Sequence, residues 1–242
     1  MSASLRPLLG CTALALRVNR SYWAMNVFTG FGLPPIVQAV FGQRMDAPGR
    51  TRLLIGNALF GVLLVILRKT ALVMTSDRIF GYRDLLATTG LSRESYLGAL
   101  ALESAVMGLM PLAALGLGVL LAGATPPASW LWLLPYALAV ASLFALGACL
   151  SAACRSLPSV VLATNLVTMA SFTLCPLTYP AERVPAALAP IVSWLPPSLA
   201  AESMAAGWTQ AALAPSALLA LLAWTLVFAF ATLRWFPWTD RP

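Results

Sequence analysis

Leu53-Leu-Ile-Gly-Asn-Ala-Leu-Phe-Gly-Val-Leu-Leu-Val-Ile-Leu67 contains no charged residue, and Arg68 and Lys69 close it. A helix needs about 20 predominantly apolar residues to cross the hydrocarbon core of a bilayer. Extended to Met74, this run predicts a membrane-spanning helix over 53–74. Working outward, comparable runs predict spans over 22–41, 97–121, 130–150, 157–177 and 216–235. The fold class expected is an all-α membrane protein with six transmembrane helices in one domain over 1–242.

Composition agrees with that assignment. Of the 242 residues, 60% are apolar and 10% charged, and mean hydropathy is +0.84. Soluble domains carry about 25% charged residues, so too little polar surface is present to coat a water-soluble body. The net charge of +7 comes from 14 Arg and one Lys set against 8 acids. The arginines sit between apolar runs, which suits topology signals and lipid headgroups rather than nucleic acid. Cys11, Cys149, Cys154 and Cys175 are scattered and no His is present, so the thiols read as structural or incidental, with no metal site.

Residues 1–21 read as an interfacial amphipathic helix. Arg6, Gly10, Ala13, Arg17 and Arg20 form one stripe, and Leu5, Leu8, Leu9, Thr12 and Leu16 another. The other irregular stretch, Arg183 to Pro215, is apolar, but Pro185, Pro190, Pro196 and Pro197 cut it into pieces too short to cross. Two short re-entrant outer half-helices are expected over 183–212, buried in protein or lining a wet cavity.

With six spans, one side of the membrane holds 11 Lys and Arg and the other holds 4. The positive-inside rule then places both termini in the cytoplasm, in a multi-pass protein of the cytoplasmic (inner) membrane. Trp130 and Trp132 fall at the outer interface, and Trp23, Trp235 and Trp238 at the inner one.

The residues exclude most chemistry. No G-x-x-x-x-G-K-[ST] motif occurs, because the single Lys lies in Leu67-Arg-Lys-Thr70. The absence of His removes His-based triads, H-E-x-x-H zinc sites and His proton relays. No catalytic residue and no cofactor of its own are expected; a transporter or scaffold fits better than an intramembrane enzyme.

The most informative loop joins the second and third spans. Gly81-Tyr-Arg-Asp-Leu-Leu-Ala-Thr-Thr89 reads as a short helix with Leu85 and Leu86 apolar and Arg83 and Asp84 polar. Gly90 ends it and Ser92 caps the next span. Two readings are open: a lever that passes force from a cytoplasmic partner to both spans, or a solvated loop whose charges set topology.

This loop resembles the coupling-helix region of ABC-2-type transporter permeases, the membrane subunits of bacterial drug, polysaccharide and lipid exporters. Gly81, Asp84, Leu86, Thr89, Ser92 and Arg93 fill corresponding places, whereas Tyr82, Ile79 and Gly90 depart from the usual Thr, acid and Pro. After the fifth span, Pro180, Val184, Pro185, Leu188, Ile191 and Pro196 match the family's pattern of prolines around an apolar helix. An Arg common shortly downstream is absent. The resemblance implies a homodimer, or a heterodimer with a sister permease, working with two cytoplasmic ATPase subunits that hold ATP and Mg. It assigns Gly81, Tyr82, Arg83, Asp84, Leu85, Leu86, Thr89, Ser92 and Arg93 to ATPase coupling. The Pro180–Pro196 set becomes an outer gate, and the first, second and fifth spans line the route and the dimer seam.

On the fifth span Thr164, Thr168, Ser171, Cys175 and Thr178 recur at three- and four-residue steps, with Asn165 and Phe172 alongside. Polar groups are costly against lipid. The stripe is therefore either a weakly polar substrate wall or a helix-packing seam, and Asn26, Gln38 and Asn57 carry the same two readings. Glu103 is the one carboxylate expected within a span: a substrate or proton site, or half of an ion pair with Arg68 or Arg93. The function expected is the permease subunit of an ABC exporter for a hydrophobic or amphipathic compound, in contact with membrane lipid. The alternatives are a proton-coupled secondary transporter using Glu103 and a non-transporting membrane scaffold.

Overall fold

The computed structural model describes Gly10, Thr12 and residues 26–122, 124–179, 181–209 and 213–236. Apart from Gly10 and Thr12, the interfacial helix expected over 1–21 lies outside the described residues, as do Trp23, Trp238 and Pro180. Among the described residues every regular element is helical and no strand occurs. Within those residues, five helices are long and apolar enough to cross a membrane. The sixth expected span, 22–41, is described only from Asn26.

That first helix, α1, comprises a wide π turn at Phe28–Gly32 followed by Leu33–Phe41. The turn directly precedes Pro34 and Pro35, whose missing N–H groups interrupt the regular ladder. Helix α2 runs unbroken over Ala47–Ile79. Asp46 caps it by accepting from the Gly49 N–H at 3.0 Å, and a second π turn occupies Leu63–Leu67. Arg68 and Lys69, which close the apolar run in the sequence, therefore lie within the helix.

A short helix α3 (Tyr82–Thr88) leads to α4 (Arg93–Ala122), which Ser92 caps by accepting from the Ser95 N–H at 3.2 Å. Helix α5 covers Leu133–Ala153. Helix α6 (Leu157–Leu174) opens with a reciprocal Ser156–Ser159 capping box and Pro158. Beyond it lie the four-residue α7 (Ala189–Val192), then α8 (Pro196–Thr209) and α9 (Pro215–Trp235). At about 1.5 Å per residue neither α7 nor α8 reaches the roughly 30 Å of a hydrocarbon core.

Helix α2 is the central column. Within its most apolar stretch 72% of residues are buried, against 11% for α9. Val62, Leu63, Val65, Ile66 and Leu67 are wholly enclosed, sharing one cluster with Met107, Tyr136, Leu177, Met204 and Trp208. Small residues let the neighbouring backbones close in. A Cβ on Gly30 would sit 3.1 Å from Val65, one on Gly61 3.1 Å from Pro111, and one on Gly147 2.7 Å from the Leu67 carbonyl oxygen. Hydroxyls tie helices across the same seams. Thr75 donates to Ser151 at 3.0 Å, and Tyr136 to the Gly108 carbonyl at 2.5 Å, one turn before Pro111.

The tightest approach is at Gly56, where an added Cβ would fall 2.2 Å from the Leu177 carbonyl oxygen. Gly56→Ala must push the Cys175–Thr178 backbone off α2, which overpacking values place at about 1–3 kcal/mol. Gly116 has nothing within 4 Å, so Gly116→Ala is expected to be neutral or stabilising. Thermal unfolding in mild detergent should show a lower midpoint for the first variant and none of that loss for the second.

Candidate functional site

Helix α3 is framed by two left-handed glycines, Gly81 at φ +73° and Gly90 at φ +78°, a conformation that glycine adopts without steric cost. They turn the chain sharply out of α2 and back into α4. Thr88 and Thr89 bond the carbonyls of Leu85 and Leu86, both at 2.7 Å, and satisfy the end of the helix.

The faces of α3 differ from a simple apolar/polar division. Arg83 is buried, with its guanidinium 4.9 Å from the ring centre of Phe236. Leu85 is 61% exposed, and Ile79, Phe80 and Tyr82 are exposed beside it; Asp84 is exposed too. Leu86 packs inward on a cluster of Met74, Tyr96, Leu100, Ala148 and Phe236. The arginine turns in because the Phe236 ring face accepts its charge and its stem covers apolar surface. Phe236 in turn stacks on Tyr96, ring centres 6.2 Å apart, and Tyr96 donates to Asp77 at 2.7 Å. One chain of contacts thus links α3, the end of α9, α4 and α2. Arg93 stands apart from it: its Nη1 donates to the Leu233 carbonyl of α9 at 3.0 Å, and its Nε lies 3.4 Å from Glu94.

Deeper in the bundle, Glu103 pairs with Lys69 at 2.5 Å, with side chains 1% and 7% exposed. The partner is neither Arg68 nor Arg93. Unbroken helix through 68–79 carries Lys69 into the interior, whereas Arg68 lies at the next phase of the turn, half-buried. Thr70 and Ser104, one residue along each helix, meet at 3.4 Å. The acid is thus one half of a buried pair joining α2 to α4.

The fifth-span stripe divides. Thr164, Thr168, Ser171 and Cys175 are buried on a helix that packs against the second half of α2, and Thr164 donates to its own Val160 carbonyl at 2.8 Å. Asn165 is exposed, and Phe172 tilts against Phe60 with ring centres 4.7 Å apart. Asn57 faces α1, its amide 3.5 Å from the Pro34 carbonyl, and is not brought to the threonines. Gln38 is buried with neither amide atom hydrogen-bonded. It borders a cavity of about 240 Å³ shared with Gln43 and Arg50, where water can satisfy it.

At the opposite end from α3, Arg52 staples the segment that follows α6. Its Nε donates to the Tyr179 carbonyl at 2.9 Å and its Nη2 to that of Pro176 at 3.2 Å, and it pairs with Glu202 of α8. Arg52, Tyr179 and Glu202, with Asp46 and Arg183, border a cavity of about 760 Å³. Of the matched positions here, Val184 and Pro196 pack inward, while Pro185, Leu188 and Ile191 are exposed. Arg52 went unremarked in the sequence; its only signal there is a charge immediately before the apolar run that starts at Leu53.

Removing one partner of a buried ion pair strands the other charge and costs about 3–5 kcal/mol, whereas an apolar replacement of both is often neutral. Glu103→Gln, which removes the carboxylate from Lys69, is expected to lower the unfolding midpoint in detergent. The double variant Lys69→Met/Glu103→Leu is expected to recover most of that loss.

No curated protein matches the chain. The family model described as ABC-2 type transporter matches residues 10–208, a stretch from before α1 to the end of α8 that includes α3, the Lys69–Glu103 pair and the Arg52 staple. ABC-2 permeases are membrane transport domains without an ATPase motif of their own, and they work with ABC ATPase partners. With five long apolar helices and that match over most of its length, the chain is a multi-pass membrane protein that belongs to the ABC-2 type transporter family.

Proposed function

We propose that this chain is the permease subunit of an ATP-driven exporter that moves a hydrophobic or amphipathic compound, such as a drug, secondary metabolite or lipid, outward across the cytoplasmic membrane. Separate ATPase subunits supply the energy, holding ATP and Mg. The observation that carries this reading is the apolar crown of Ile79, Phe80, Tyr82 and Leu85. Ile79 and Phe80 at the end of α2 and Tyr82 and Leu85 on α3 are all exposed, beside a glycine-framed helix whose other side packs on the bundle.

Exposed aromatic and aliphatic side chains on a short rigid helix suit a cleft in a protein partner. When the ATPases close on ATP, displacement of α3 passes covalently into α2 and α4. Through Arg83 and Phe236 it also passes into the end of α9. The pathway opens where α6 parts from α2, uncovering Thr164, Thr168 and Ser171 as a weakly polar wall, with Asn57, Asn165 and Phe172 nearby. A second permease, identical or related, completes the route. Helix 22–41 supplies the sixth span, both termini are cytoplasmic, and α7 and α8 form the re-entrant outer gate with Pro180, Val184, Pro185, Leu188, Ile191 and Pro196.

Leu85→Asp with Tyr82→Asp is expected to reduce co-purification of a P-loop ATPase more than tenfold, as loss of central apolar anchors does, with membrane insertion unchanged. Leu85→Cys, in a background lacking the four native cysteines, should react with an impermeant maleimide only in inside-out vesicles. Labelling from outside intact cells, or transport by a purified complex containing no ATPase, would end the proposal.

A further inference from the structure

Helices α4, α5 and α9 line an apolar groove of about 650 Å³, bordered by Tyr136 and Val140, which also pack in the α2 cluster. Its walls are kept open by small residues: Gly98, Ala101 and Ala105 on α4, with Ala137, Ala141 and Ala145 on α5. Any larger side chain at these positions would fill it. The three hydroxyl-bearing residues that border it already donate within the protein, Tyr136 to the Gly108 carbonyl, Thr225 to that of Leu221 and Thr232 to that of Phe228. The groove is thus lined almost wholly by apolar side chains, which suits a hydrocarbon occupant.

The two ends of the groove differ. At one end lie Leu97 and Leu233. Arg93, one turn before Leu97, donates to the Leu233 carbonyl. Arg234 and the exposed Trp235 follow directly on α9. The other end, at Leu112 and Leu133, lies near the exposed Trp130 and Leu131 and has no charged residue between 104 and 154 in the sequence. From Leu97 to Leu112 the helix rises about 22 Å, so the groove exceeds the roughly 15 Å depth of one leaflet.

We infer that this groove binds an anionic phospholipid of the leaflet on the Arg93 side, an acyl chain lying between α4, α5 and α9 and the phosphate against Arg93. A packed helix from another chain would account for the apolar walls but not for the arginines gathered at one mouth. Arginine presents five donors and pairs with phosphate bidentately, and Nη1 is its only nitrogen taken by a backbone carbonyl. The contact of its Nε with Glu94 is to a side chain 69% exposed. Such a pair contributes little and yields to a phosphate. The groove is separate from the proposed route of the exported compound, and only its Arg93 mouth adjoins the stretch that the resemblance assigns to ATPase coupling. Its role is to hold the ends of α4 and α9 together beside α3.

Native mass spectrometry of the protein purified in mild detergent, with whatever subunits accompany it, tests the site. Equal amounts of phosphatidylglycerol and phosphatidylcholine serve as probes. The wild type is expected to retain phosphatidylglycerol preferentially by about fivefold, the factor one arginine supplies near an anionic headgroup. Ala105→Phe, filling the groove, should lose one retained lipid, whereas Leu166→Phe on the exposed face of α6 should not. Arg93→Gln should keep the lipid but lose the preference. Equal lipid retention in wild type and Ala105→Phe would overturn the inference. So would a change of oligomeric mass in Ala105→Phe, which would assign the groove to a protein interface, or an unchanged preference in Arg93→Gln.

Discussion

Hydrocarbon offers no hydrogen bonds, so each polar group that α2 carries into the bundle must be met from within the protein. Asn57, Lys69, Thr70 and Thr75 are all buried, and the helices around α2 are arranged to answer them. Helix α4 brings Glu103 to Lys69 and Ser104 to Thr70, α5 brings Ser151 to Thr75, and α1 brings the Pro34 carbonyl to Asn57. Apolar contact holds these helices near α2, but it is weakly directional, since lipid tails are as apolar as leucine. The polar pairs set the rotation of each helix about its axis.

The two ends of α2 are handled differently. At the Arg52 end the chain is clamped: one guanidinium holds two carbonyls and an acid of the following segments, and Gly56 lets that segment lie directly on the helix. At the Ile79 end it is hinged. Gly81 and Gly90 interrupt the helices on either side of α3, and the contacts of α3 with the bundle run through side chains, Arg83 on Phe236 and Leu86 in its cluster. A clamped end and a hinged end on one rigid column suit a part that receives a push at one side of the membrane and alters packing at the other.

The fate of Glu103 separates two classes of mechanism. An isolated acid in a membrane is a proton or cation site by default. Neutralised by the chain's only lysine and enclosed on all sides, it acts first as a strut between α2 and α4. On the proposed function, work done on α3 would reach both helices, which the pair ties together.

Span-length apolar runs, the proline breaks after α6, the cap at Ser92 and the glycine that ends α3 were all readable in the amino-acid order. Each depends on a residue's own backbone preferences or on summed hydropathy. What the order did not disclose was rotational phase. A helix that is apolar all round has no face marked for its neighbour, so the burial of Arg83, the exposure of Leu85, the pairing of Glu103 with Lys69 and the inward turn of Thr164 and Thr168 were settled only by packing. The groove between α4, α5 and α9 belongs to the same class. Its alanines are unremarkable singly, and only the tertiary arrangement sets them opposite one another with Arg93 at the mouth, because that arrangement depends on contacts between residues far apart in the chain.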